Sequence, residues 1–436
     1  MMQVKTLNIK KIILKICVYI AIFGSSILGA QIFGISLNKV CLIPLFLHLL
    51  FNVKGSVIKK TLFPLLAFYV VGAVSSVISI VAPYADSIDD YYSVSIFYAI
   101  QLLFIFIPFV YLFSGYSYKE ELLNDTKSAI IFVSRANIIV ALIEFFSYFI
   151  VGVSFTNAIL YVFYKIDNAA ALINLGRLGV FLRPSGLNLA PSYLGIIIVF
   201  GFIFEEKTIW KLFGFITSLI AMSRTALVIL IALFIYKYMK ENKLSRIKKR
   251  YLIVFFVLIV GLVTLMTSIP SFSSQIEGML SRLNLFEETK SDDVGTLRHL
   301  LYFPKSIEIY LFKYNIIQKL IGFGPRLSGT ILAHSNVMNV YLGNEAFNTA
   351  WALECDFAEL LLGYGILGFC LYYSTVLKLR KISNYGKFLF IAIFLYSFMY
   401  NISASTFSQL IIMIFLCCSE ESFRKPKENE ECQKLV

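Results

Sequence analysis

The sequence predicts an all-α integral membrane protein of about twelve transmembrane helices, with one medium and one large extracytoplasmic loop. Three observations predict it. Of 436 residues, 58% are hydrophobic and 15% charged, against about a quarter charged in soluble domains. Apolar windows of membrane-crossing length recur along the chain. The basic residues gather in the segments that a single orientation places on the cytoplasmic side. Together these exclude a disordered chain, a secreted disulfide scaffold and a cytosolic enzyme.

The windows fall at about 12–31, 36–53, 61–83, 94–114, 128–152, 192–205, 208–222, 223–240, 251–269, 357–377, 387–400 and 402–418. Each is expected to be helical, because lipid offers no partner to an open backbone. Lys5, Lys10 and Lys11 precede the first window like the start of a signal peptide. Its apolar run is too long for one, and Leu28 stands where a small residue should precede a cut after Ala30, so it reads as a retained span. The expected organisation is five spans over 1–152, a medium external loop over 153–191 and four spans over 192–269. A large external loop over 270–356, three spans over 357–418 and a cytoplasmic tail over 419–436 complete it.

A net charge of +13 would suggest nucleic acid in a soluble chain. Here its distribution reads as topology, with no nucleic-acid partner. Lys54, Lys59 and Lys60 follow span two, and the run from Lys237 to Arg250 follows span eight. Lys378, Arg380, Lys381 and Lys387 follow span ten, whereas Tyr84–Ser93 carries Asp86, Asp89 and Asp90 and no basic residue. Both termini are therefore expected inside. The two long loops exceed the usual connection length and are rich in aromatics, which points to folded, functional segments. Apolar residues between Leu297 and Leu311, interspersed with Arg298, Lys305 and Glu308, suggest an amphipathic helix on the membrane face. The seven cysteines form no CxxC pair or Cys/His cluster and read as packing residues.

The arginines left outside are the informative minority, because a planar, permanently charged fork suits phosphate at a membrane surface. In Gly176-Arg177-Leu178-Gly179-Val180-Phe181-Leu182-Arg183-Pro184-Ser185-Gly186, two arginines sit among glycines and a proline, a structured loop rather than a helix. Met222-Ser223-Arg224-Thr225 puts an arginine between two spans with no loop to spare, costly unless it snorkels or meets a counter-charge. Arg135 and Glu144, inside span five, read as partners for other helices. A third constellation runs from Gly322-Phe323-Gly324-Pro325-Arg326 through Ala333-His334-Ser335-Asn336 to Asp356 and Gly363-Tyr364-Gly365-Ile366-Leu367-Gly368. His334, one of three histidines, can take a proton from a sugar hydroxyl near neutral pH. His299, beside Arg298, competes for that role; His48 reads as structural. A Walker loop, a Gly-rich nucleotide turn and a metal-holding carboxylate pair are missing from the sequence, so no metal and no cofactor are expected.

In this order and topology the chain resembles the bacterial O-antigen polymerase family, within the wider group shared with O-antigen ligases, and is similar in architecture to C-type glycosyltransferases. The motifs that carry the resemblance are RLGVFLRPSG entering span six, MSRTAL opening span eight, IGFGP, AHSN and GYGILG. The resemblance implies block transfer of a growing glycan from undecaprenyl pyrophosphate to a hydroxyl of the next lipid-linked repeat unit. It places this on the periplasmic face of the inner membrane, by an inverting mechanism without metal or nucleotide. Its implied partners are the undecaprenyl-pyrophosphate-linked oligosaccharide, the lipid bilayer and a polysaccharide chain-length regulator. Carried over by position, Arg183 and Arg224 fall at the pyrophosphate, His334 at the candidate base, and Arg177 and Arg326 at further candidate positions; Arg298, Asn336, Glu345 and Asp356 are further substrate-binding candidates of the large external loop and its end. The arginine-x10-glycine spacing of some polymerases is not kept, with Asn188 and Leu194 in the glycine positions. Glu345 replaces the glycine of the ligase pattern, so a carboxylate such as Glu345, Glu354 or Asp356 is the alternative base. An O-antigen ligase and a flippase of lipid-linked oligosaccharide are the alternative functions.

Overall fold

The computed structural model describes residues 2–27, 31–32, 35–55, 58–81, 91–151, 183–188, 191–221, 223–240, 294–335 and 352–418. Apart from one ribbon of two-residue strands, the regular structure among them is helical, as long apolar runs away from water require. In chain order the elements begin with α1 (Met2–Ser26), β1 (Gln31–Ile32), β2 (Ile35–Ser36), α2 (Leu37–Val40), α3 (Ile43–Asn52), α4 (Phe63–Val81), α5 (Tyr91–Gln101), α6 (Ile107–Gly115) and α7 (Lys119–Val151). Then come α8 (Pro191–Phe204), α9 (Thr208–Ile220), α10 (Arg224–Lys240), α11 (Val294–Phe312), α12 (Ile316–Ile321), α13 (Ser328–His334), α14 (Asp356–Ile382), α15 (Asn384–Tyr396) and α16 (Thr406–Cys418).

Four helical stretches are long and apolar enough to cross a membrane: Phe63–Val81, Tyr91–Gly115, Lys119–Ser147 and Asp356–Ile382. Shorter apolar helices occupy Leu37–Asn52, Pro191–Phe204, Thr208–Ile220, Asn384–Tyr396 and Thr406–Cys418. The ninth apolar window, most of the medium loop, 270–293, 336–351 and the tail lie outside the described residues.

Some of the apolar stretches differ from plain helices. The first window overruns its helix, since α1 ends at Ser26 and the antiparallel ribbon pairs Gln31 with Ser36 and Ile32 with Ile35. Strand pairing satisfies the same backbone groups that a helix would, so apolarity alone did not mark the boundary. In the Tyr91–Gly115 span a π-helical turn, Leu102–Phe106, joins α5 to α6 just before Pro108, whose ring cannot continue the regular ladder. In α14 the backbone leaves the helix at Gly365, with φ 65° and ψ −173°.

The chain divides into two compact units. The first comprises Met1–Ile22, Cys41–Ala129 and Val294–Val436. Its centre is α14 against α4, α11, α12 and α15, with α16 buried along its whole length. Close approach of α4 to α14 needs Gly72, where a β-carbon would come within 2.6 Å of the Tyr364 ring. Phe68 then stacks on Tyr364 with ring centroids 4.5 Å apart. At its C-terminal end α16 is capped from the preceding chain: Lys59 Nζ donates to the Cys417 carbonyl at 3.2 Å and Thr61 Oγ1 to that of Leu416 at 3.3 Å. A cation there also suits the helix dipole. His48 shares a 2.9 Å hydrogen bond with the Tyr116 hydroxyl, a structural contact as expected.

The second unit comprises Phe23–Val40 and Ile130–Asp293. Its described centre is α8, almost wholly buried, with α9 and α10 against it. Gly195 and Gly201 let it seat closely: β-carbons there would stand 2.4 Å from Ser223 Oγ and 2.1 Å from Ser134 Oγ.

Candidate functional site

In the second unit the segment Arg183–Asn188 is held by two polar side chains of α7. Glu144 Oε2 accepts the backbone N–H of Ser185 at 3.1 Å and of Gly186 at 3.4 Å. Nearly two turns earlier on α7, Asn137 Oδ1 accepts the Leu187 N–H and the Asn188 side-chain amide, each at 3.0 Å. Gly186 adopts φ 65°, so the turn needs its glycine. With the turn fixed, Arg183 Nε donates to the carbonyl of Ala221 at 3.2 Å. That carbonyl belongs to the tight connection from α9 to α10, and α10 opens with the half-buried Arg224. Arg183 is thus anchored to a carbonyl of the connection that leads into Arg224, and an arginine fork suits an anion with several oxygens.

Arg135, the other basic residue of this stretch, is committed elsewhere. It grips Glu205 through two hydrogen bonds of 2.7 and 2.8 Å and lies 5.1 Å from the centroid of the Trp210 ring. This agrees with its reading as a partner for another helix, whereas Glu144 serves a loop instead.

Two motifs of the third constellation meet in the first unit. The break in α14 releases the carbonyls of Leu362 and Gly363, and the Gly322–Gly324 backbone takes them up. Phe323 N–H donates to Leu362 at 2.9 Å and Gly324 N–H to Gly363 at 3.1 Å. The Tyr314 and Ser75 hydroxyls supply second donors, at 2.9 and 2.8 Å. Gly322 and Gly365 face each other, since a β-carbon on either would stand within 2.5 Å of backbone atoms of the other segment. The two glycine motifs therefore form one crossing of main chains.

Arg326 leaves this crossing half-buried, its guanidinium 5.9 Å from the centre of the Tyr98 ring. Beneath it, Glu359 is fully buried and accepts the Arg326 backbone N–H and the Ser328 hydroxyl. His334 is half-buried and ends α13. Asp356 is buried completely, and its oxygens accept the N–H groups of Ile402 and Ser403 at 3.0 and 2.9 Å, so it ties the start of α14 to the chain leading into α16. Arg298 lies on α11. Arg177, Asn336 and Glu345 lie outside the described residues. Among the described residues, no three His, Cys, Asp or Glu side chains group to hold a metal ion.

Glu144, Asn137, Glu359, Ser328 and Tyr98 were not foreseen as parts of these clusters. A lone carboxylate in an apolar window was the only available signal, and Glu144 and Glu359 both gave it. The chain matches no protein-family model, and no curated protein matches it.

Proposed function

We propose that the chain is a polysaccharide polymerase of the O-antigen type. It transfers the growing glycan from undecaprenyl pyrophosphate to a hydroxyl of the next lipid-linked repeat unit. In this reading the membrane is the inner membrane, crossed about twelve times with both termini inside, and the chemistry lies on the periplasmic face. The observation that carries the reading is the corner where Arg183, fixed by Glu144 and Asn137, reaches the connection that leads into Arg224. As the acceptor oxygen bonds to the anomeric carbon, the bond from that carbon to the pyrophosphate oxygen breaks and negative charge gathers on the leaving group. Arg183 and Arg224 neutralise that charge, and the acceptor hydroxyl gives its proton to a general base.

Arg183→Ala and Arg224→Ala are each expected to slow polymer formation by about 10²- to 10³-fold, the usual loss for one group that stabilises a growing anion. The assay is the lipopolysaccharide ladder of a deletion strain carrying each variant at normal protein level. Full-length polymer from both variants would sink the proposal. Loss of the protein should leave single repeats capped on the core. A core without repeats, with polymer held on the carrier lipid, identifies a ligase instead. Purified protein that moves lipid-linked repeats across liposomes and forms no glycosidic bond identifies a flippase.

A further inference from the structure

Among the described residues, Arg326 is the one non-glycine residue with a left-handed backbone, at φ 69°. A β-carbon resists that conformation, which persists only where the surroundings over-determine it. Here the surroundings are a polar clamp. Glu359 accepts the Arg326 N–H with one oxygen and the Ser328 hydroxyl with the other, and Ser328 Oγ accepts the Leu353 N–H at 2.9 Å. A fully buried carboxylate is costly, and this one spends both oxygens on hydrogen bonds that hold the turn while its charge attracts the Arg326 guanidinium. Among the described residues the Arg326 guanidinium forms no salt bridge and lies over the Tyr98 ring, whose hydroxyl is 3.5 Å from that of Tyr364. The charge is held in place by its backbone and its aromatic platform while its fork remains available.

We propose that Glu359 is a positioning residue. With Ser328 it locks the left-handed turn at Arg326, so that the guanidinium over Tyr98 binds a phosphate oxyanion of the lipid-linked saccharide. The proposal rests on the lipid-pyrophosphate reading given above and adds a phosphate contact in the first unit with its own supporting carboxylate. Replacing Arg326 by Gly relieves the turn and removes the fork; replacing it by Lys keeps the charge and removes the two-pronged geometry.

The test measures binding of undecaprenyl pyrophosphate, with undecaprenol as control, to the purified full chain in nanodiscs. The wild type is expected to prefer the pyrophosphate. Arg326→Gly should weaken that binding by about 10- to 100-fold and Glu359→Gln by about 10-fold, the range for losing or misplacing one charge-assisted contact. In the Arg326→Gly background, Glu359→Gln should change affinity no further, because its effect passes through Arg326. This non-additivity separates positioning from a general loss of structure. A wild type that binds undecaprenol equally well overturns the lipid-pyrophosphate reading together with the clamp. A wild type that prefers pyrophosphate, with Arg326→Gly and Arg326→Lys binding at full strength, overturns the clamp alone. Full-strength binding by a folded Glu359→Gln overturns the positioning role. Should that variant fail to fold, Ser328→Ala, which removes the other member of the clamp, should weaken binding by about 10-fold, and full-strength binding by it overturns the role instead.

Discussion

The guanidinium of Arg135 is satisfied on two sides, by the carboxylate of Glu205 and by the ring of Trp210. Glu205 is almost wholly buried and Arg135 is partly exposed, so the pair has left water at some cost, and removing one partner strands the other. Arg135→Met or Glu205→Gln alone should each destabilise the folded protein by about 2 kcal/mol. The double variant should lose less than the sum, with a coupling of about 1–2 kcal/mol in a thermal-melting cycle on detergent-solubilised protein. Additive losses would show that the two charges do not act as a pair. At Cys355 the outcome turns on burial. Cys355 is 1% exposed, and loss of hydration pushes its thiol up to about 12, with the Asp356 carboxylate adding to the rise and the N–H groups of Ala358 and Phe357 only partly offsetting it. A variant keeping Cys355 as its sole cysteine should therefore resist maleimide at about pH 7–8 while folded and react on unfolding. Labelling of the folded protein within minutes would contradict the packing at the start of α14.

Glycine separates two kinds of constraint at the level of the element. Gly55 has φ 83°, and a β-carbon added there would meet no atom within 4 Å, so Gly55→Ala bears only the conformational cost, about 1 kcal/mol. Gly365 has φ 65°, and its β-carbon would lie 2.5 Å from the Gly322 nitrogen. Gly365→Ala must push two main chains apart and break the hydrogen bonds that Leu362 and Gly363 receive, and should cost about 3 kcal/mol or more. Fluorescence-detected size-exclusion after heating compares the two: the Gly55 variant should melt close to the wild type, and the Gly365 variant should aggregate. Equal melting would mean the crossing is not what holds the loop against α14. Both motifs stood out in the sequence because glycine, proline and arginine are conspicuous in an apolar chain. Their meeting was not legible. It depends on backbone N–H and carbonyl groups that every sequence carries, far apart along the chain, and on a helix break that hydropathy does not register. Arg183 and Arg224 were likewise visible singly, while of the two residues that fix the turn after Arg183, Glu144 looked like a helix partner and Asn137 carried no signal.

At the scale of the whole molecule, helices among the described residues present apolar side chains outward as well as inward, unlike those of a soluble fold. On α4 the residues Val70, Val74, Val77 and Val81 are 45%, 45%, 49% and 79% exposed, at helical spacing, while Ser75, Ser76 and Ser79 are buried on the other face. The same holds on α1, where Ile9, Ile12, Ile13, Ile16 and Ile20 face outward. Composition pointed to helices long and apolar enough to cross a membrane, and the described residues contain four such stretches; apolarity is needed on both faces when one meets lipid and the other meets protein. The same uniformity hid which face was which, because period carries no signal in a run that is apolar all round. The small hydroxyl residues were the remaining clue, as helix interfaces in lipid favour close-packing serine and glycine. Position 74 tests the surroundings of the exposed stripe directly. If the α4 stripe meets hydrocarbon, Val74→Leu should be neutral in melting temperature and yield, and Val74→Asp should cost about 3 kcal/mol of insertion and leave the membrane fraction depleted. Ser75→Leu, on the buried face, should destabilise even though it raises hydropathy, because Ser75 Oγ donates to the Gly363 carbonyl at 2.8 Å and its buried position leaves no room for a larger side chain. A surface that met water would reverse the order at position 74, with aspartate tolerated and leucine prone to aggregate. Membrane-fraction yield and melting of the three variants therefore decide whether the exposed valines are solvated by lipid.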